Sequence, residues 1–130
     1  MNFKTQVKAK LNQSNDDKIN IALDDFVEDT ILDLESDISI YKATTIPKLK
    51  SEMAKCNRRI KNHKKNLKEV ILTVFKSKDE IYTSKEWIAN IVRAKRELAI
   101  AERQLSSFSE EIETANEKIE ELQELINLLK

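Results

Sequence analysis

From Trp87 to Leu129 an apolar side chain recurs every three or four residues, without a miss, over six heptads. One row is Ile91, Leu98, Leu105, Ile112, Ile119 and Ile126; the other is Trp87, Ala94, Ala101, Phe108, Ala115, Leu122 and Leu129. A 3.5-residue period is that of a helix buried along one face against another helix. The seam commits this stretch to a long coiled-coil helix.

The rest of the chain agrees. Among 130 residues there is no glycine and one proline, Pro47. The Walker A loop, the dinucleotide-binding turn, the nucleophile elbow and the EF-hand loop each need glycine where a Cβ would clash, so all four are excluded. Turn-rich sheet folds are disfavoured for the same reason. A single cysteine, Cys56, rules out an internal disulfide framework and a paired-cysteine metal knuckle. No window approaches the roughly 18–20 apolar residues of a membrane span. A soluble, cytoplasmic chain with no cofactor and no metal is the expectation.

Periodicity then sets the elements. Phe3, Val7 and Leu11 form one stripe of a short basic helix over residues 1–13, too small to anchor in a membrane alone. Ser14, Asn15, Asp16 and Asp17 supply capping chemistry for a second helix, about 16–45, with the stripe Ile19, Leu23, Val27, Ile31, Leu34, Ile38 and Tyr41. Ala22, Phe26, Leu32 and Ile40 widen that stripe, which suggests more than one neighbour. Thr44-Thr45-Ile46-Pro47 is expected to end it, because proline disfavours the helical region at the residue before it and suits a first turn. The third helix, about 47–75, carries Leu49, Met53, Cys56, Ile60, His63, Leu67, Val70 and Val74. Two overlapping capping boxes, Ser77 to Glu80 and Thr83 to Glu86, predict a tight connection before a fourth helix at about 84–130. The expected fold is all-α: the short helix, then a coiled-coil domain over 14–130 built as an antiparallel bundle of three long helices.

Charge is segregated along this plan. Residues 1–15 carry three Lys and no acid, and residues 16–46 carry nine acids and two Lys. Residues 47–78 carry eleven bases and two acids, and residues 104–130 carry seven acids and two Lys. An acidic second helix antiparallel to a basic third helix would set opposite signs side by side. Length adds a further expectation. Helices two and three are each roughly 45 Å long and helix four roughly 70 Å, so the last turns should overhang the bundle. Leu105, Phe108, Ile112, Ala115, Ile119, Leu122, Ile126 and Leu129 are then the candidate seam for self-association or for another helical protein.

Few residues suggest chemistry. His63 follows Cys56 by one heptad, about 10 Å along a helix, which suits two semi-polar seam residues better than a zinc or thiol–imidazole site. Asp24/Glu28 and Asp25/Asp29 are four apart and read as a solvated or lysine-facing surface ahead of a Mg²⁺ site. Trp87 reads as a core plug where helices three and four meet. Cys56 to Lys68 is the most cationic stretch, with Arg58, Arg59, Lys61, Lys64, Lys65 and Lys68 as candidate nucleic-acid contacts. Over this dozen residues the chain resembles the basic region of leucine-zipper transcription factors, which implies contact with a phosphate backbone. It departs from them in the seam residues Ile60 and Leu67 and in a clear zipper that starts more than twenty residues later. The leading expectation is a non-enzymatic interaction protein that oligomerises and recognises a protein partner through helical surfaces. A nucleic-acid-associated protein using helix 47–78 is the alternative.

Overall fold

A computed structural model describes residues 17–76 and 84–130. The expected helix over 1–13 and the capping residues Ser77 and Thr83 lie outside the described residues. Every described residue except Lys130 is helical, and no strand occurs among them. Helix α1 spans Asp17–Ile40, a π-helical turn follows at Tyr41–Thr45, α2 spans Ile46–Lys76 and α3 spans Ser84–Leu129. The all-α class stands.

The expected stop at Thr44-Thr45-Ile46-Pro47 is corrected. Ile40 (φ −61°, ψ −45°) and Ile46 (φ −66°, ψ −46°) both have helical backbones, and the Ile46 N–H donates to the Tyr41 carbonyl five residues back. Proline lacks an N–H, and in a regular helix its ring would press on the carbonyl four residues earlier, here that of Ala43. A π turn widens the backbone in this place, so the helix continues where a regular one would break. The buried stripe registers the extra residue. It steps from Ile38 to Tyr41, then by five to Ile46, and resumes at Leu49, Met53, Cys56, Ile60, His63 and Leu67, all buried or half-buried.

The chain packs as two compact units. Among the described residues the first comprises 17–47 with 113–130, and the second comprises 48–76 with 84–112. In unit 1, Ile38, Leu122 and Ile126 form the core, ringed by Ile31, Leu34, Tyr41 and Ile119. Ile38 packs on Leu122 and Ile126, while Tyr41 and Thr45, further along, share a groove with Lys118 and Leu122, so the two segments run antiparallel. In unit 2, Cys56, Ile60 and Ala101 are the core, with Leu98, Leu105 and Phe108 against them. Cys56 meets Ala101, and His63, seven residues on, meets Glu97, four back; this pair is antiparallel too.

Two further expectations change with this arrangement. Each unit contains two helical segments among the described residues, where three long helices lying together were expected. The last turns of α3 are not a bare overhang: Leu122 is 5% and Ile126 1% exposed, covered by α1 of the same chain. Thr30 and Thr73, β-branched and mid-helix, each donate a hydroxyl to the carbonyl four residues back, Phe26 at 2.7 Å and Glu69 at 2.8 Å. Their polar groups are thereby satisfied within the helix.

Candidate functional site

The solvent faces of the two units are the part of the molecule able to meet a partner, and their chemistry follows from helix periodicity. On α1 the side opposite Val27 and Ile38 carries Ala22, Phe26, Asp29, Asp33, Asp37 and Ile40, spaced by four, three, four, four and three. All six are exposed. Residues at this spacing stack into one ridge along a helix, so α1 presents three aspartates in a row with apolar side chains at both ends. On α2 a second ridge reads Ala54, Arg58, Lys61, Lys65, Lys68 and Leu72, spaced by four, three, four, three and four, and again every member is exposed. It mirrors the first in sign. Both ridges span nineteen residues.

Net charge follows the same division. The described residues of unit 1 hold thirteen acids and four bases, a formal −9; those of unit 2 hold fifteen bases and seven acids, a formal +8. The acidic helix was expected beside the basic one. It instead packs on residues 113–130, which carry five acids and two Lys of their own. The basic helix packs on 84–112, with five charges of each sign. The expected pairing of α1 with α2 is thus replaced by the packing of each on its own stretch of α3. The cause is a matter of magnitudes: exposed ion pairs contribute about 0–1 kcal/mol each, whereas burying a large aliphatic side chain contributes about 1.5–3 kcal/mol. The seam decides which segments pair, and the charges are left facing water.

The six candidate cations Arg58, Arg59, Lys61, Lys64, Lys65 and Lys68 are all exposed on α2. None forms an ion pair with another described residue. Lys55 is held by Glu52 of its own helix at 3.4 Å, and Lys118 by Glu121 at 3.2 Å. Lys64 and Lys68 flank an open apolar groove floored by Leu67, Ile71 and Leu72.

The eight seam candidates fall in both units. Leu105 and Phe108 pack on the Cys56 and Ile60 core, and Ile119, Leu122 and Ile126 belong to the Ile38 core. Ala115 is buried, and Ile112 and Leu129 are half-buried. Because the chain itself covers this strip, the reason for placing self-association there is lost. The apolar side chains left in water lie elsewhere: Phe26, Leu32, Ile40, Leu125 and Leu128 on unit 1, and Leu72, Ile88, Val92 and Ile100 on unit 2. The widened stripe of α1 is visible in the sequence, whereas the exposed Ile88, Val92 and Ile100 of α3 are masked by the stronger seam beside them.

Cys56 is fully buried and its Sγ donates to the Ala101 carbonyl at 3.1 Å. His63 Nδ1 lies 3.8 Å from Glu97 Oε2, both partly exposed. Thiol and imidazole thus face different groups on α3. Trp87 is half-buried. Among the described residues no three His, Cys, Asp or Glu side chains gather as a metal ion would require, and no helix is long and apolar enough to cross a membrane. No family model, curated protein or solved structure matches this chain.

Proposed function

We propose that this chain is a non-enzymatic coiled-coil interaction protein, a scaffold, adaptor, assembly factor or protein inhibitor, that oligomerises and recognises a protein partner through helical surfaces. One observation carries the reading: two-segment units leave nine large apolar side chains in water, Phe26 at 61% and Leu128 at 63% among them. A helix with one neighbour buries one stripe, and a second apolar stripe is covered only by another molecule. A further helix for each two-segment unit would then be supplied in trans. Sedimentation of the intact chain over a wide concentration range tests this. Association that weakens when Phe26 and Leu72 become serine, with helicity unchanged, supports it. A chain that stays monomeric and captures no helical protein removes it.

The second reading, a nucleic-acid-associated protein using the basic helix, rests on the six exposed cations that no described acid neutralises. Polyanion binding by such a face falls steeply with salt as counterions are released. Changing Arg58, Arg59, Lys64 and Lys65 to Glu should abolish retention on DNA at low salt. Absence of retention by the unaltered chain ends that reading.

A further inference from the structure

We infer that the acidic ridge of α1 and the basic ridge of α2 are complementary docking faces, and that the occupant of each is the opposite ridge of a second copy of this chain. This inference rests on the interaction-protein reading above and names the surface it uses. Three observations converge on it. The ridges are equal in length, and each places a run of one charge between apolar residues, Phe26 and Ile40 on α1 and Ala54 and Leu72 on α2. Their signs are opposite, and so are the net charges of the units that bear them, −9 and +8 over the described residues. All twelve ridge residues are exposed in the folded chain, so neither ridge is covered from within it and the match is available to a second molecule.

The chemistry selects a protein helix over a bare polyanion. A phosphate backbone satisfies cations and leaves Leu72 and the neighbouring groove of Leu67 and Ile71 wet. An acidic helix with exposed Phe26 and Ile40 supplies carboxylates and apolar anchors together. Facing charges set the register and reject like-charged pairings, while the apolar residues at the ridge ends supply the burial. Every copy carries both halves, so association is reciprocal.

The test uses the full-length chain, measured by sedimentation equilibrium with helicity monitored by circular dichroism. Three proteins are compared: the unaltered chain, a variant with Asp29, Asp33 and Asp37 changed to Lys, and one with Lys61, Lys65 and Lys68 changed to Glu. The unaltered chain should exceed its 15.1 kDa monomer mass. Its dissociation constant should rise at least about tenfold between 0.1 and 1 M salt, where the screening length drops from about 10 to about 3 Å. Each variant alone should be a helical monomer, and an equimolar mixture should associate again, since the reversed ridges are complementary. Association that ignores both charge reversals overturns the ridge assignment and leaves the interaction reading standing. A monomer that binds DNA through the basic ridge overturns the ridge assignment and favours the nucleic-acid reading, and it overturns both when it also captures no helical protein. A monomer that binds neither itself nor DNA overturns the ridge assignment alone, and the helical-partner capture above then decides the broader reading.

Discussion

The two units are built on the same seam period and filled differently. Unit 1 is held by branched aliphatics, with Val27, Ile38, Leu122 and Ile126 all buried. Unit 2 sets small groups at its most enclosed positions, Ala94, Ala101 and Cys56, beside the larger Ile60, Leu98, Leu105 and Phe108. Bulky seam residues stabilise through the area they take from water. Small ones allow closer helix approach, so that main-chain atoms come within reach of side chains across the seam. The Cys56 thiol reaching the Ala101 carbonyl at 3.1 Å is a direct sign of that approach. The same heptad pattern therefore yields one unit sensitive to lost volume and another sensitive to added volume.

The largest expected effect tests the first half of that contrast. Ile126→Ala removes the least exposed aliphatic side chain of unit 1 and should cost about 2–5 kcal/mol in urea unfolding. Leu128→Ala, two residues on at 63% exposure, should stay within about 0.5 kcal/mol. Equal losses at the two sites would mean that α1 does not shield this strip. In unit 2 the informative change goes the other way. Ala101→Leu should destabilise by about 1–3 kcal/mol through overpacking. Faster amide exchange should be concentrated in residues 48–76 and 84–112. If Ala101→Leu stabilises the chain, the close approach of the two segments is wrong.

Much of this was legible in the linear pattern. Every seam position from Trp87 to Leu129 is buried or half-buried, and the intervening positions from Lys85 to Lys130 are exposed apart from half-buried Ala99. A 3.5-residue period is a strong signal because one error in phase would put charge into the core. Which segment covers which stretch of seam was not legible. Periodicity says that a face is buried and is silent on the partner, and the charge blocks point to α1 against α2, whereas each packs on its own stretch of α3. The π turn leaves a trace in the spacing: Tyr41 and Leu49 are eight apart, one more than a heptad, which is the mark of a single inserted residue. Pro47 alone reads as a stop, and it is the extra residue that lets the helix pass it. The ridges are hidden for a related reason, since an exposed second stripe reads as surface until the count of neighbours is known.

Pro47 offers a sharper view of how the units are joined. Pro47→Ala restores an N–H and removes the ring, so stability should rise. The gain should fall below the ~3 kcal/mol of a proline in a regular helix interior, because the π turn already moves the backbone away from the ring. The π turn itself should persist, because the five-residue step from Tyr41 to Ile46 is set by the seam on either side. Hydrogen exchange at the Ile46 amide, bonded to Tyr41, would show it still protected. Its loss on substitution would assign the turn to the proline alone.

The smallest effect concerns charge, and here the units should behave alike despite opposite signs. Each accumulates like charges on its exposed faces, and like charges four apart on a helix repel by a few tenths of a kcal/mol. Asp33→Asn, between Asp29 and Asp37, should therefore stabilise unit 1 by about 0.2–0.5 kcal/mol at low salt. Lys65→Gln, between Lys61 and Lys68, should do the same for unit 2. Both gains should vanish near 1 M salt, where screening removes the repulsion. Thermal unfolding in dilute solution isolates this term from association, since a monomer feels only its own charges. A substitution that instead destabilises at low salt would mean that the aspartate or lysine is already answered by an opposite charge within the chain. The two ridges would then have no electrostatic reason to seek a second copy.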